Sequence, residues 1–412
     1  MKYIFILLVL TSFFSHATTI EVCASCKVKK ISDATLIAKD GDIIYVEKGV
    51  YYETEIQVSN AIQIIGIDNP IIDAQGKQKS VFACKADGFT ISGITIKNIG
   101  LSYTKEIAGI YVTKSRNFRL KNNTLTNVYG GFVIQRSLYG VISENKIVGT
   151  AKDETKAGNG IHLYKCKNMR IEKNEIIGMR DGIYLEIVHK SSISNNINDN
   201  NIRYGLHFMF SNHNEFHHNQ FRDNGSGCAV MYSDNINMHH NSFRDNWGMA
   251  SYGLLLKEIN DSVIESNLFE KNTIGINIDS CNRNKYKSNH LYNNGWAIKF
   301  QGASTYNFFQ FNNFVNNSFD LSFKSSLKNN KFEANHWSEY RGYDLDKDGI
   351  GDVPHRPLKL FSFITTNTPD SVVLLRSLFV DIINFSEQVS PIFTPENLVD
   401  KKPIIKVIDA QY

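Results

Sequence analysis

Residues 182–186 read Gly-Ile-Tyr-Leu-Glu, a small residue followed by alternating apolar and outward-type positions. Similar segments recur at steps of 22, 29, 22, 23, 22, 26, 22 and 22 residues, beginning at Gly109, Gly131, Gly160, Gly182, Gly205, Gly227, Gly253, Gly275 and Ala297. A second marker, an Asn two residues before an apolar residue, runs in phase through Asn123, Asn145, Asn174, Asn195, Asn219, Asn241, Asn267, Asn289 and Asn312. Two markers with one period predict a repeat protein.

Each repeat holds two or three short runs with a period of two, separated by Asn, Gly or Ser, which is typical of short strands and turns. One such coil cannot bury its own apolar face, but stacked coils can pair each strand in parallel with the strand one repeat later. The pattern predicts a right-handed parallel β-helix over residues 18–335, with looser first coils. The two long steps place insertions at 149–158 and 246–251.

The Asn series is expected to form a ladder, because Asn tolerates left-handed turns and its side chain can bond the equivalent Asn of the next coil. Cys166 and Cys281 occupy a position that is Ser in other repeats, so we expect them to replace ladder residues. Cys228 aligns with the inward Ile183 and is predicted to be a core residue.

Composition and the first residues restrict the class of protein. Of 412 residues, 42% are hydrophobic and 21% charged, and 45 Lys and Arg against 41 Asp and Glu leave a net charge of +4. This balance argues against nucleic-acid binding. Residues 1–17, with Lys2, an apolar run and Ser15-His16-Ala17, predict a signal peptide cleaved after Ala17 and export to the periplasm.

Strand alternation predicts which side chains face outward. If Ile183 and Leu185 point inward, Tyr184 and Glu186 point outward. His162 and His207 take the Tyr184 position, and Met209 and Met231 take the Glu186 position on successive coils. Thioethers beside imidazole suit Cu(I), so this stripe is a candidate copper site. The alternative is that the His side chains solvate a turn and the Met pair lies under a loop or partner.

A second group of imidazoles is predicted at a turn. His217 and His218 precede one Asn of the series, and His239 and His240 precede the next, with His213 nearby. Stacked coils would bring the four rings into a two-by-two patch that could bind copper. A polar turn without a metal is the alternative.

Two further motifs have metal-like spacing. Cys23 and Cys26 fit a redox pair, a soft-metal (copper) chelate or a structural disulfide. In the loop from Asp344, carboxylates at positions 1, 3, 5 and 9 and Gly at position 6 resemble a calcium loop: Asp344, Asp346, Asp348 and Asp352. His355 stands where the bidentate Glu of an EF-hand would be, so an ordinary Asp/Gly turn is the alternative.

The C-terminal extension, residues 336–412, differs from the repeats. Residues 371–385 space apolar side chains like an amphipathic helix, and Pro391, Pro395 and Pro403 follow in the tail. This helix is expected to cap the open end of the stack or to dock a membrane partner.

The chain resembles the NosD family over essentially its whole mature length. The resemblance is carried by the signal peptide, Gly182-Ile-Tyr-Leu, Tyr204-Gly-Leu-His-Phe-Met-Phe-Ser, Ala229-Val-Met-Tyr-Ser, Ala250 to Lys257, Asn335-His-Trp-Ser-Glu-Tyr and Asp344 to Pro357. It implies a periplasmic, non-enzymatic copper-associated factor for nitrous oxide reductase maturation in denitrification. The implied partners are an ABC transporter (an ATPase and a membrane subunit), a copper-chaperone lipoprotein and the apo-reductase.

We therefore expect a docking platform and transient copper carrier for copper-sulfide centre assembly. One alternative is an exported polysaccharide lyase or hydrolase, to which Asp181, Glu186 and Arg180 could contribute, although the sequence predicts no multi-coil catalytic cluster. A purely structural surface protein is the other alternative.

Overall fold

The computed structural model describes residues 17–102, 105–324, 329–375, 377–389 and 398–409. The predicted signal peptide lies outside these ranges except for Ala17, and so do Pro391 and Pro395 of the tail. The rest is sufficient to test the repeat pattern.

Three parallel sheets run along the stack, and each coil contributes one strand to each in turn. Sheet 1 has 14 strands: Thr19–Val22, Ile43–Val46, Gln63–Gly66, Thr90–Ser92, Arg119–Lys121, Val141–Ser143, Arg170–Glu172, Ser192–Ser194, Glu215–His217, Asn237–His239, Val263–Glu265, Lys285–Lys287, Phe308–Gln310 and Lys331–Glu333. Sheet 2 has 13: Val50–Tyr51, Ile71–Asp73, Thr95–Lys97, Thr124–Thr126, Lys146–Val148, Glu175–Ile177, Ile197–Asp199, Gln220–Arg222, Ser242–Arg244, Leu268–Glu270, His290–Tyr292, Asn313–Val315 and His336–Trp337. Sheet 3 has 12: Ile56–Val58, Phe82–Cys84, Ile110–Thr113, Phe132–Gln135, Ile161–Tyr164, Asp181–Glu186, Tyr204–Met209, Ser226–Asp234, Tyr252–Asn260, Ile274–Asp279, Trp296–Phe300 and Phe319–Phe323. The predicted parallel β-helix is confirmed.

Inward side chains stack as columns of like residues. Ile183 and Leu185 are fully buried, as the alternation predicts. Phe221, Phe243 and Phe269 stack with ring centroids 5.0 and 4.7 Å apart. Such columns bury the apolar area that one coil alone would expose.

Buried Asn side chains form the predicted ladder with one correction. Nδ2 of each Asn donates to Oδ1 of the next at 2.9–3.1 Å through Asn123, Asn145, Asn174, Asn196, Asn219, Asn241, Asn267, Asn289, Asn312 and Asn335. The sequence prediction of Asn195 was wrong because the inward residue of that strand is the polar Asn198, not an apolar one. Asn195 is instead the left-handed turn residue, at φ 56°.

Cysteine positions also follow the prediction. Cys166 and Cys281 are buried and donate to backbone carbonyls of Ile134 and Leu256, like the ladder hydroxyls. Cys228 is buried in the core between Leu206 and Leu254.

Helices lie at both ends of the stack. The N-terminal helix, Ile31–Ile37, joins the core of the first coils, and its first amides bond the Glu53 carboxylate. The C-terminal helix Leu360–Asn367 packs Phe361 against Phe319. A 3-10 helix at Pro369–Leu374 and an α-helix at Leu378–Val389 follow, so the single helix predicted over 371–385 is two elements. The remaining 3-10 helix, Glu154–Lys156, lies in the first insertion.

Asp400 closes the C-terminal end of the Asn ladder. Its buried carboxylate accepts from the Asn335 amide and side chain and from Trp337 Nε1, at 2.9–3.1 Å. Across the described ranges, no helix has the length and apolar character that crossing a membrane requires.

Candidate functional site

The outer face of sheet 3 has the register that the alternation predicts. Tyr184 pairs with His162 on one side and His207 on the other. Met209 pairs with Met231 on the following strand, and both Met residues are half-buried. Because paired Cα positions on adjacent parallel strands lie about 4.8 Å apart, the two thioethers share one surface.

Three aromatic rings stack on this face. The Tyr184 ring lies 4.7 Å from the His162 ring and 4.7 Å from the His207 ring, nearly parallel to both. Two imidazole nitrogens on one metal ion lie within about 4.2 Å of each other. Since Tyr184 separates them, His162 and His207 cannot bind the same ion, although the sequence prediction placed them in one stripe.

A carboxylate fixes the orientation of His207. Asp181 is fully buried, and Arg203 donates to both of its oxygens, at 2.8 and 2.5 Å. His207 Nδ1 lies 3.3 Å from Asp181 Oδ2, which can only accept, so Nδ1 carries the proton. In the neutral ring His207 Nε2 then carries the lone pair, and this atom is buried with no hydrogen-bond partner among the described residues. A carboxylate on one ring nitrogen is the usual arrangement of a metal-binding His.

The electrostatics hold Asp181 ionised. Burial acts to raise the pKa of Asp181, but hydrogen bonds from Arg203 and His207 outweigh it and keep that pKa below the ordinary value. Burial, with Glu186 nearby, raises the pKa of Tyr184 to about 12, so this phenol stays neutral.

His162 is anchored in the same way by Glu106, which contacts its Nδ1. Burial acts to raise the pKa of Glu106, but the bond from His162 holds it below the ordinary value. His162 Nε2 is buried and lies 4.0 Å from Glu186, beyond hydrogen-bonding distance. Arg180 and the His162 ring both line a cavity of about 310 Å³.

Soft donors and exposed aromatic rings adjoin His207. Met209 follows His207 by two residues on the same strand and the same face. The next residues, Phe210 and Tyr232, stack at 5.1 Å, and Phe210 is 49% exposed. One imidazole and two thioethers form a donor set suited to Cu(I).

The four predicted imidazoles lie together at a turn of sheet 1. His217 stacks on His239 and His218 on His240, with ring centroids 4.9 and 5.0 Å apart. Within each coil the two rings are perpendicular, and their Nδ1 atoms lie 2.9 and 3.0 Å apart. His213 is exposed and lies outside this group, which we call the imidazole quartet.

The imidazole quartet borders a groove of about 570 Å³ lined by His218, His240, Arg222 and Arg244. Burial lowers the pKa of His217 and of His240, and neighbouring imidazoles lower both further. Glu215 accepts from His239 Nε2 at 2.9 Å, and this bond lowers the pKa of Glu215. Both shifts favour the neutral form of His217 and His240, the form that binds metals.

Cys23 and Cys26 form a disulfide, with Cα atoms 4.9 Å apart. Neither sulfur is a thiolate in this form, which favours the disulfide alternative over the redox and copper alternatives. A metal role for the pair stays a prediction that requires its reduction.

The calcium-like loop brings three of its four predicted carboxylates together. Ligand oxygens of Asp344, Asp346 and Asp348 lie within 4.8 Å of one another. Asp352 instead accepts the Leu345 amide at 2.7 Å and braces the loop. His355 packs against Trp337 and Tyr340, and burial lowers its pKa to about 4.

Sequence reasoning missed the anchoring residues. The sequence named Asp181 only as a possible member of an enzyme site, and Arg203 of the next coil, which meets it over His207, was not identified. Glu106 and Glu215 were not identified either. The repeat alignment held a signal for Asp181 and Arg203. Asp181 and Tyr204, each one residue before the Gly of its repeat, occupy paired positions on adjacent strands, and Arg203 directly precedes Tyr204.

Comparison with known proteins points to one family. A family model described as "Periplasmic copper-binding protein (NosD)" matches residues 144–342, which include the His207 site and the imidazole quartet. A "Probable ABC transporter binding protein NosD" of Pseudomonas aeruginosa is 25% identical over 383 residues, covering 82% of this chain and 82% of that protein. The protein of the same name from Stutzerimonas stutzeri is 23% identical, covering 86% and 85%.

Solved structures share the fold. The A-module of the Azotobacter vinelandii mannuronan C-5 epimerase AlgE4 superposes with a TM-score of 0.51 at 16% identity, covering 73% of this chain and 89% of that one. This level of identity carries the β-helix fold only. The resemblance predicted from the sequence segments is thus confirmed, and the chain is similar to the NosD proteins, which the matching family model describes as periplasmic copper-binding and of which two are named as probable ABC transporter binding proteins.

Proposed function

We propose that this protein is a periplasmic accessory factor for nitrous oxide reductase maturation. In this role it is exported through the signal peptide of residues 1–17 and has no catalytic activity of its own. It holds Cu(I) in transit at His207, Met209 and Met231, which we name the thioether site. The copper is cargo for the copper-sulfide centre of the apo-reductase.

One observation supports the thioether site most strongly. His207 Nε2 is buried without a partner in the described structure, while Asp181 and Arg203 hold the ring from the other side. A buried unpaired nitrogen is costly unless something binds it. Met209, two residues along the same strand, and Met231, its partner on the next strand, carry the soft sulfur ligands that Cu(I) prefers over harder ions.

The surroundings of the site suit exchange with partners. Exposed Phe210 and half-buried Tyr232 lie beside Met209 and Met231, so a partner that docks here reaches the sulfur atoms. We propose that the copper-chaperone lipoprotein and the apo-reductase use this face. The membrane subunit of the ABC transporter, driven by its ATPase, is proposed to bind helix Leu378–Val389.

A polysaccharide enzyme is the second candidate, because Asp181, Arg203 and His207 form a charged cluster over two coils. The same bonds argue against catalysis. Both Asp181 oxygens are engaged by Arg203, and Tyr184, with a pKa of about 12, is a poor base. Turnover of uronate polymers by the purified chain would favour this candidate instead.

Replacing Met209 and Met231 together by Leu tests the proposal in cells. We expect nitrous oxide reductase to accumulate without its copper-sulfide centre, because Leu keeps the volume but removes the sulfur ligands. Met238→Leu is the matched control, since Met238 is fully buried in the core. Normal maturation with the double variant would contradict the proposal.

A further inference from the structure

One carboxylate, that of Glu215, determines which nitrogens of the His239–His240 pair in the imidazole quartet donate and which accept. Glu215 is an acceptor, so the bond of 2.9 Å from His239 Nε2 places a proton on that nitrogen. In the neutral ring His239 Nδ1 then carries a lone pair. His240 Nδ1, 3.0 Å away, must donate to it. Glu215 therefore prepares His239 as carboxylates prepare metal-binding His residues.

The spacing of the two Nδ1 atoms also matches a metal site. With metal–nitrogen bonds of about 2.0–2.1 Å, two nitrogens 3.0 Å apart subtend roughly a right angle at the ion. That is the angle between neighbouring ligands in the square-planar and octahedral sites of Cu²⁺ and Ni²⁺. Because an N–H···N bond lies on the line between the nitrogens, both rings must turn toward an ion that stands off that line.

We infer that the His239–His240 pair is a binding site for a late divalent transition metal, Cu²⁺ or Ni²⁺, separate from the thioether site. The ion takes the place of the shared proton between the two Nδ1 atoms. His240 changes from its Nδ1–H to its Nε2–H form through solvent, so no net proton is released from neutral rings. Glu215 is a positioning residue that keeps His239 Nδ1 free.

The His217–His218 pair supplies an internal comparison. Its Nδ1 atoms lie 2.9 Å apart and its rings are perpendicular, as in the neighbouring pair. No carboxylate lies within hydrogen-bonding distance of either ring in the described part of the chain. The His239–His240 pair should therefore bind the metal ion first, and the His217–His218 pair that stacks on it should contribute only afterwards.

This site goes beyond the proposed function, because nitrogen ligands of this kind favour the divalent ion over Cu(I). The two sites lie on different sheets, sheet 1 for His239 and sheet 3 for Met209. They can be removed independently of each other.

The test is a titration of the mature chain with Cu²⁺ alone, followed by calorimetry and by electron paramagnetic resonance. We expect one strong site with coupling to two imidazole nitrogens. His239→Ala/His240→Ala should weaken binding by at least about tenfold and remove the coupling. His213→Ala and Met209→Leu/Met231→Leu should leave both unchanged.

Glu215→Gln keeps both rings and serves as the second variant if the double Ala protein does not fold, as judged by circular dichroism. It should weaken Cu²⁺ binding about tenfold, the usual effect of losing such an anchor. Unchanged Cu²⁺ affinity in the His239/His240 variant or in the Glu215 variant would overturn the inference. The absence of strong Cu²⁺ binding by the wild-type chain would overturn it as well. Loss of Cu²⁺ binding in the Met variant would also overturn it, because the two sites would then be one.

Discussion

At the scale of single residues, the proposed chemistry depends on which ring nitrogen of His207 is free. Asp181 decides this, because it binds Nδ1 and leaves Nε2 without a partner among the described residues. Alternation alone predicted that His207 faces outward. It could not predict that the ring is 95% buried, since Tyr184 of the preceding coil stacks on it and Tyr204 of its own strand packs against it at a tilt.

Asp181→Asn should therefore lower Cu(I) affinity about tenfold, because an amide no longer fixes the ring or balances Arg203. Competition against a chromophoric Cu(I) chelator measures the change. Asp199→Asn is the matched control, since Asp199 also pairs with an Arg of the next coil, Arg222, but at the surface of sheet 2. Equal affinity in the Asp181 variant and the wild type would show that this anchor is not needed.

A second residue-scale prediction concerns Asp320, which is buried at the end of sheet 3. Burial raises its pKa to about 7, although Asn317 donates to it. The unfolded carboxyl ionises near pH 3.8, so the folded state holds the extra proton between about pH 3.8 and 7 and loses stability as pH rises through that window.

Asp320→Asn should raise the melting temperature at pH 8 and have little effect at pH 4, where the native carboxyl is already neutral. Thermal unfolding at the two pH values measures this. A variant that is less stable than the wild type at pH 8 would contradict the assigned ionisation.

At the scale of elements, the sequence predicted that an Asn ladder exists, and the predicted ladder residue was wrong in one coil. An Asn before an apolar strand residue identifies most ladder members, but Asn198 faces inward and shifts the apparent motif to Asn195. A second ladder went unpredicted, because only its last three members stand two residues before an apolar residue. Its members are Asn201, Asn224, Asn246, Asn272, Asn294 and Asn317.

Asn241→Ala should destabilise the fold by about 2 kcal/mol, because it removes the buried Oδ1 to which both the backbone N–H and the side-chain amide of Asn219 donate. Urea unfolding followed by circular dichroism measures the loss. Asn237→Ala is the control, since Asn237 is exposed on the neighbouring strand, and it should change stability by less than about 0.5 kcal/mol. Similar losses of stability in the two variants would show that the ladder Asn stabilises the fold no more than an exposed Asn does.

The loop of Asp344, Asp346 and Asp348 is an element whose spacing predicted a cation site, and its three carboxylates do converge. We expect Ca²⁺ to raise the melting temperature, with about 2.7 kcal/mol of stabilisation at a hundredfold excess over Kd. Asp346→Asn/Asp348→Asn should remove the effect, while Asp33→Asn, an exposed acid on the first helix, should not. A Ca²⁺ response that survives the double variant would place the ion elsewhere.

At the scale of the whole molecule, the β-helix, its coil register and the outward column were predictable, because a repeat of mostly 22 residues with aligned Gly and Asn positions fixes them. Side-chain contacts between residues distant in the sequence were not predictable, since Glu106 reaches His162 across 56 residues. The C-terminal segment was predicted as one amphipathic helix over 371–385, which the structure divides into two elements. Its helix Leu378–Val389 leaves Phe379, Ile382 and Phe385 exposed, each by more than half.

Replacing Phe379, Ile382 and Phe385 by Ser should abolish co-purification with the transporter membrane subunit and leave the melting temperature unchanged. This is sharper than truncation after Pro357, which would also remove Asp400 from the end of the ladder. Leu36→Ser/Ile37→Ser is the control, because both are exposed on the N-terminal helix. Retained co-purification of the triple variant would rule out this docking surface.

The central claim is that copper binds at His207, Met209 and Met231. An anaerobic Cu(I) competition titration of the mature chain against a chromophoric chelator tests it most directly, beside Met209→Leu/Met231→Leu and the buried control Met238→Leu. We expect one equivalent of Cu(I) to bind to the wild type and to the control, and markedly weaker binding by the double variant. Equal binding by all three proteins, or no binding by the wild type, would contradict it.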